Sequence, residues 1–416
     1  MAVCESTPAP RLAGTALVRF LPRISRYTPP RSVRLRQLDG LRGVAMLWVF
    51  LVHFGNPWVG LVSSGSSPAA FLRLLEADGS LGSSFFMLLS GFFSYTTLMA
   101  GRKGFRAFLR GRIARLYPLY FLMTGVYLAG SVLLPQMSKI PPRPLAAVAF
   151  IASNLLFLPG VFHIEALMEV SWTMSFIVLF YFVAGAITVL FRLCRLSRVE
   201  KFLFLILSAA IWAVAGHYTG WWQPRTNILW IGMALSEAVD AMSGARNNLA
   251  TRIVALAASV ALAGILLRTW LMMTRPDTGP IPIDLLRNLF TVTGLFAFAW
   301  VTHFGPDWWK RLLSANLLRQ MGAASYSFYL THGITVKIFR FGVVPLLGKA
   351  AGLPVVFWVC QILGLVMSVI VARIVFEYVE NPIAAWVKPR VAVTPRRLHW
   401  WPEVSPEPRP PHPAVL

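Results

Sequence analysis

The chain has 416 residues, 56% of them hydrophobic and only 13% charged, about half the charged share of a soluble domain, which excludes an ordinary soluble protein. Basic residues outnumber acidic ones 39 to 16, a net charge of +23. The arginines flank apolar blocks and form no single basic face interleaved with aromatics, so the charge argues for membrane orientation, anionic headgroups or a phosphorylated ligand and against nucleic acid.

Residues 1–37 hold Arg11, Arg19, Arg23, Arg26, Arg31, Arg34 and Arg36 with several prolines. They contain no apolar stretch of the kind a cleavable signal has, so a disordered cytoplasmic tail is expected, with the first helix serving as the targeting signal. Apolar blocks long enough to cross a bilayer follow near 43–62, 81–99, 116–134, 172–191, 202–219, 226–241, 252–272, 286–304, 323–345 and 354–377. A further apolar stretch, 145–159, is short and ends in Pro159-Gly160. If it spanned, the cluster Arg192, Arg195, Arg198 and Lys201 would fall on the wrong side; it is therefore expected to be a non-spanning segment at the outer face.

With ten helices, the clusters at 102–115, 192–201, 305–320 and beyond 387 all share the cytoplasmic side with the N-terminus. Arg275 and Arg287, in the 273–287 loop, are left outside. Residues 389–416, rich in proline, are expected to be a second disordered cytoplasmic tail. The expected fold is thus all-α and polytopic, with about ten transmembrane helices over residues 38–388 and both termini cytoplasmic. Cys4, Cys194 and Cys360 are too few and too scattered for a disulfide framework or a zinc site, so free thiols and no metal are expected.

Ionisable residues inside membrane helices mark function, because each costs about 2.5–3.5 kcal/mol on insertion scales unless paired or hydrated. Leu38-Asp39-Gly40-Leu41-Arg42-Gly43 opens the first helix, and His53 lies eleven positions beyond Arg42, about three turns or 16 Å along one face. Ser325-Tyr326-Ser327-Phe328-Tyr329-Leu330-Thr331-His332 enters from the same side and carries His332 to a similar depth. Two histidines at one depth suggest a shared cavity, where a neutral imidazole can take up a proton. A single such histidine would more often be a core residue bonded to a carbonyl; the pair, with Arg42, favours function. Arg110-Gly111-Arg112-Ile113-Ala114-Arg115-Leu116-Tyr117-Pro118 reads equally well as a topology signal or as a guanidinium clamp for phosphates.

Taken together, these blocks resemble the membrane-bound acyltransferase-3 family. Arg42 and His53 match its arginine and histidine separated by ten residues. Phe85-Phe86-Met87-Leu88-Leu89-Ser90-Gly91-Phe92 resembles its second-helix Phe-x-x-Ser-Gly-Phe block. Arg112 to Pro118 resembles its Arg-x-x-Arg-x-x-Pro motif, the block ending in His332 matches a later one, and Glu380-Asn381-Pro382 resembles its closing Glu-x-Pro. The blocks fall in family order from about 36 to 383.

The resemblance implies transfer of an acyl group, usually from acetyl-CoA as co-substrate, to a carbohydrate, lipid-linked glycan or secondary-metabolite acceptor. It makes His53 the catalytic histidine and places Arg42, Arg112 and Arg115 near the donor, with Arg110 beside them. His332 is expected at the catalytic centre, and Ser90, Trp172 and Tyr326 at the substrate. The expected surroundings are a lipid bilayer, in the plasma (inner) membrane.

The chain departs from the family at Trp172-Thr173-Met174-Ser175-Phe176-Ile177, where Ile177 stands at a position usually held by glutamate. Glu165 or Glu169 is the expected substitute if the short outer segment folds back. The competing classes are a catalytically weak relative and a non-enzymatic transporter; against the latter, no halves in matching order and no paired Gly/Pro-broken segments are found.

Overall fold

The computed structural model describes residues 36–99, 105–243, 253–274 and 283–387, all within one compact unit that begins at Leu35. The two tails expected to be disordered and cytoplasmic lie outside these residues, apart from Arg36 and Gln37, as do Arg102, Lys103 and Arg275. Every element described is helical.

In chain order the principal helices are α1 (Arg36–Gly55), α2 (Ser67–Asp78), α3 (Leu81–Met99), α4 (Phe105–Leu133), α5 (Pro144–Leu155), α6 (Ser171–Leu190), α7 (Arg198–Thr219) and α8 (Ile228–Ser243). They continue with α9 (Val254–Thr274), α10 (Ile283–Phe304), α11 (Asp307–Leu313), α12 (Asn316–Ala323), α13 (Ser325–Ile338), α14 (Val344–Leu347), α15 (Pro354–Val375) and α16 (Asn381–Val387). Among the described residues nine helical stretches are long and apolar enough to cross a membrane, and each coincides with one of the expected spans.

The tenth expected span is α8, whose 16 residues rise only about 24 Å, short of a hydrocarbon core of about 30 Å. It stands at the centre of the bundle. Ile228, Leu229, Trp230, Met233, Ala234 and Val239 are all buried, so α8 faces protein on nearly every side. Helix α5, at 12 residues, is too short to span, as its sequence led us to expect.

Three stretches read as loops are helical. Residues 67–78 form α2, which Ser66 caps by accepting from the Ala69 amide and which leads through Gly79 directly into α3. The basic 105–115 segment is the first three turns of α4, so its arginines project at helical spacing. Segment 305–320 forms α11 and most of α12.

Without a hydrophobic driving force between helices in lipid, close approach of backbones decides packing. A Cβ on Gly43 would strike the Leu318 carbonyl, and one on Gly322 would strike the Asp39 carbonyl, so α1 and α12 cross in backbone contact. Gly91 and Gly232 do the same for α3 and α8, meeting the carbonyls of Leu229 and Leu88. The glycines of the Asp-Gly-Leu-Arg-Gly and Ser-Gly-Phe blocks are therefore packing residues, while their neighbours Arg42 and Ser90 turn elsewhere.

One buried ion pair was invisible in the sequence. Arg268 of α9 bonds Asp78 at the end of α2 and also donates to the Ala77 carbonyl (3.0 Å), Ser80 Oγ (2.8 Å) and Thr291 Oγ1 (2.9 Å). Thr269 Oγ1 donates to the other Asp78 oxygen at 2.7 Å. This cluster ties the α2–α3 corner to α9 and α10. Removing one partner leaves the other charge buried, at a cost of about 3–5 kcal/mol. Arg268→Met should therefore lower the melting temperature of the detergent-solubilised protein sharply, and the double variant Arg268→Met/Asp78→Leu should recover much of the loss. A single variant as stable as wild type would show that the pair contributes nothing.

Candidate active site

Four helices run through the middle of the unit and carry the motif residues in a fixed order. Along α1 the sequence places Arg42 and then His53; along α4, Arg112, Arg115 and then Tyr127; along α13, Ser325, Tyr326, Tyr329 and then His332 and Lys337. Helix α6 runs the other way, with Glu169 and Val170 just before its start and Thr173, Met174, Ile177 and Tyr181 within it. From the first to the last of these groups the rise is about 16 Å along α1, about 22 Å along α4, and about 18 Å both along α13 and from Glu169 to Tyr181.

The groups fall into two chambers at the two ends of that rise. The first encloses about 830 Å³, its open mouth included, and is lined by Arg42, Ser90, Arg112, Arg115, Ile177, Tyr326 and Tyr329 among others. The second encloses about 960 Å³ on the same basis, and its walls include His53, Tyr127, Lys139, Glu169, His332, Lys337 and Arg340. The two histidines thus share one cavity, and the arginines line the other.

What separates them is a hydrogen-bonded layer. Tyr329 Oη donates to the Val170 carbonyl at 2.6 Å and contacts Thr173 Oγ1. Thr173 and Tyr329 face the arginine chamber, whereas Val170 and His332, one turn from Tyr329, face the histidine chamber.

In the arginine chamber Arg112 is anchored before any ligand arrives. Its Nη2 donates to the Phe93 carbonyl (2.7 Å) and Thr97 Oγ1 (3.2 Å), and its guanidinium lies 5.3 Å from the ring centres of both Phe108 and Tyr181. Arg115, one turn away, is exposed at the mouth. Tyr326 Oη donates to the Leu116 carbonyl at 2.5 Å, next to the break at Pro118, whose missing N–H cannot bond the Ala114 carbonyl. Glu380, on a π-helical turn before Pro382, accepts from Ser327 Oγ at 2.5 Å and pins the start of α13. Ile177 lines this chamber, so the departure at that position lies among the arginines and not beside His53.

In the histidine chamber the rings of His53 and His332 are 5.3 Å apart. His332 is fully buried, and its Nδ1 donates to the Phe328 carbonyl at 3.0 Å. That bond places the lone pair of the neutral ring on Nε2, which has no hydrogen-bond partner among the described residues. The carbonyl contact that a core histidine would make is present, and a second nitrogen remains for chemistry.

Glu169, one of the two expected substitutes for the missing glutamate, lines this chamber. Glu165 is instead exposed and paired with Lys139 at 3.4 Å. The fold-back that brings Glu169 here is fixed by Asn154 of α5. Its Oδ1 accepts from the Leu167 amide at 2.8 Å and its Nδ2 donates to the Glu165 carbonyl at 3.3 Å. Tyr117 and Tyr120 of α4 donate to the carbonyls of Leu155 and Asn154 (2.7 and 2.8 Å) and hold α5 in place.

Two expected site residues lie outside both linings. Arg110 is exposed on the outer face of α4. Trp172 instead packs under Arg225, whose guanidinium sits 4.8 Å from the ring centre. Arg225 was not picked out from the sequence because it falls in the Gln223-Pro224-Arg225-Thr226-Asn227 turn, outside any recognisable motif. Its Nε donates to Gln223 Oε1 at 2.5 Å. Burial, followed by repulsion from Arg268, lowers its pKa to about 10, so it remains a cation behind the Tyr329 layer at neutral pH. Among the described residues no three His, Cys, Asp or Glu side chains converge as a metal site.

Two chambers entered from opposite ends make a definite accessibility prediction. On a background lacking Cys4, Cys194 and Cys360, a membrane-impermeant thiol reagent added to sealed cells should label Asn56→Cys in the histidine chamber and leave Ser90→Cys unlabelled. Inverted vesicles should reverse that pattern. Labelling of both from one side would mean a single continuous cavity.

Residues 35–376 match the acyltransferase domain of family 3. No curated protein and no solved structure matches the chain. The matched stretch spans the arginine chamber, the partition and the histidine pair, and ends just before Glu380-Asn381-Pro382.

Proposed function

Because the chain belongs to acyltransferase family 3, we propose that it moves an acyl group, acetyl in the simplest case, from acyl-CoA to a hydroxyl or amine of a carbohydrate, lipid-linked glycan or secondary metabolite. The observation that supports this reading is the placing of the arginine chamber and the histidine pair end to end, with only the Tyr329–Thr173–Val170 layer between them. A donor with phosphates at one end and a thioester on a long arm suits that layout. Arg42, Arg112 and Arg115 hold the phosphates, guanidinium groups being matched to phosphate oxygens. The arm carries the thioester past Tyr329 toward the histidines, while Ser90 and Tyr326 contact the donor along the way.

The acceptor oxygen or nitrogen attacks the thioester carbonyl carbon while His53 takes its proton, a general-base role worth about 10²–10⁴-fold. The carbon–sulfur bond then breaks, and the proton passes from His53 to the departing CoA thiolate. His332, with Nε2 directed away from its bonded carbonyl, orients the acceptor, and Glu169 offers the nearest acidic side chain in the chamber. The Tyr329 hydroxyl must leave the Val170 carbonyl for the thioester to pass, which makes the layer a checkpoint. The protein is a multi-pass membrane protein, and the plasma (inner) membrane is the proposed location.

A second reading has one specific observation in its favour: two chambers divided by a thin layer are also the layout of a carrier. Acceptor-independent solute flux in vesicles, with no binding of acetyl-CoA, would favour it. The isoleucine at 177 raises the question of a weak relative; an Ile177→Glu variant with markedly greater transfer would support that answer.

The deciding assay is transfer from radiolabelled acetyl-CoA in membranes, with lipid and glycan extracts as acceptors. His53→Ala should lose at least 100-fold of the incorporation while still binding acetyl-CoA, and Arg112→Ala should weaken acetyl-CoA binding. Full transfer by His53→Ala would sink the mechanism.

A further inference from the structure

The histidine chamber contains more positive charge than its place in the protein explains. Lysine and arginine collect on the cytoplasmic side of membrane proteins, and the clusters at 105–115 and 192–201 belong to the opposite end of the helices from His53 and His332. Yet Lys139, Lys337 and Arg340 all line the histidine chamber, against Glu169 as its one acidic lining residue.

Lys139 is already engaged, with Glu165 at 3.4 Å and the Ala166 carbonyl at 3.3 Å. Lys337 and Arg340 are not. Lys337 lies 5.1 Å from the Tyr127 ring centre and Arg340 5.4 Å from that of Phe341. Neither has a carboxylate within ion-pair distance among the described residues.

Both cations lie on the continuous helical stretch that carries His332. They follow it by five and eight residues, about 7.5 and 12 Å along the helix axis. Arg340 occupies a π-helical turn, Phe339–Val343, an irregularity that recurs at functional sites because it re-aims side chains. His332 and the cations therefore form a fixed ruler inside one chamber: an imidazole at one end, an ammonium and a guanidinium at the other.

We infer that this chamber binds an acceptor carrying an oxyanion, phosphate or carboxylate, on the same molecule as the hydroxyl or amine that is acylated, with Lys337 and Arg340 holding the oxyanion. The inference rests on the transferase reading for the word acceptor, but binding of the anion does not. The cations lie about 7.5 and 12 Å along the axis from His332, so the oxyanion and the acylated group occupy different parts of one acceptor. A neutral sugar would leave both cations unpaired.

The test separates binding from transfer. The full chain with Asn56→Cys, on the cysteine-free background, is placed in phosphatidylcholine nanodiscs and treated with an impermeant thiol reagent. Glucose 6-phosphate and glucuronate serve as free anionic probes, glucose as the neutral probe, and phosphatidylglycerol in the nanodisc as the lipid probe. Labelling should slow at least tenfold with an anionic probe and not with glucose. Protection by a free probe would mark a soluble acceptor, and protection by phosphatidylglycerol alone a lipid one.

In the Lys337→Gln/Arg340→Gln variant the protection should vanish while acetyl-CoA binding in the other chamber persists, which reports that the fold is intact. No protection beyond that given by glucose, or protection unchanged in the double variant, overturns the inference. An Asn56→Cys chain with Lys337 and Arg340 intact that is protected by an anion but binds no acetyl-CoA would leave the anion site standing and remove the transferase reading instead.

Discussion

The hydroxyl of Tyr329, held between the Val170 carbonyl and Thr173, keeps two polar chambers from merging into one water-filled passage. Everything else in the bundle sets up that contact. Its partners come from opposite chain directions: Tyr329 rises on α13, while Val170 and Thr173 sit at the start of the descending α6. Their meeting depends on where α6 begins. That point is set by the 156–170 segment, which Asn154 stitches together and the α4 tyrosines hold against the bundle. Unsatisfied polar backbone is costly beside a bilayer, and this non-helical stretch is bonded by its own turns, by Asn154 of α5 and by Tyr329 of α13.

The charges follow the same economy of pairing. Arg268 and Asp78 are deep, but every polar atom of the cluster that bonds is bonded to protein, which is how a membrane interior tolerates a structural ion pair. Arg112 is half committed, with one side bonded and stacked and the other facing the arginine chamber. Lys337 and Arg340 are committed only to aromatic faces. This gradient from satisfied to available separates residues that hold the bundle from residues that face a ligand, and it requires no knowledge of the chemistry.

Much of this was legible in the sequence. Apolar block length located nine of the spans, although α1 and α4 begin seven and eleven residues before their apolar blocks, and basic clusters gave a layout in which the arginine motifs share one end. The non-spanning character of α5 followed from its length and from Pro159-Gly160. Periodicity also put His53 and His332 at one depth, since each is a fixed number of 1.5 Å steps from the same end. Less legible were features created by contact between distant segments. Helix α2 carries Arg73, Glu76 and Asp78 and looks like a loop until Arg268 is placed against it. The partition was hidden because Tyr329 lies inside a recognised block, and nothing along the chain says that its hydroxyl meets a carbonyl 159 residues away. Trp172 and Arg110 were assigned to the site by proximity to motifs, yet proximity along a helix does not fix the face: one turned toward Arg225, the other outward.

The position of Ile177 follows from the same geometry. A glutamate there would stand in the arginine chamber, between the Thr173 and Tyr181 turns of α6, close to Arg112 and far from His53 along the helix axis. Its natural effect would be to offset guanidinium charge or to hold a ligand group near the donor's path, and orienting the histidine is outside its reach. The carboxylate that does share a chamber with His53 is Glu169, brought there by the fold-back of the outer segment. Replacing the glutamate by isoleucine therefore leaves the histidine end of the reaction path intact and makes the other chamber more positive. On the proposed mechanism that change acts on how the polyanionic donor is held, through affinity and release, and leaves proton transfer to His53 untouched.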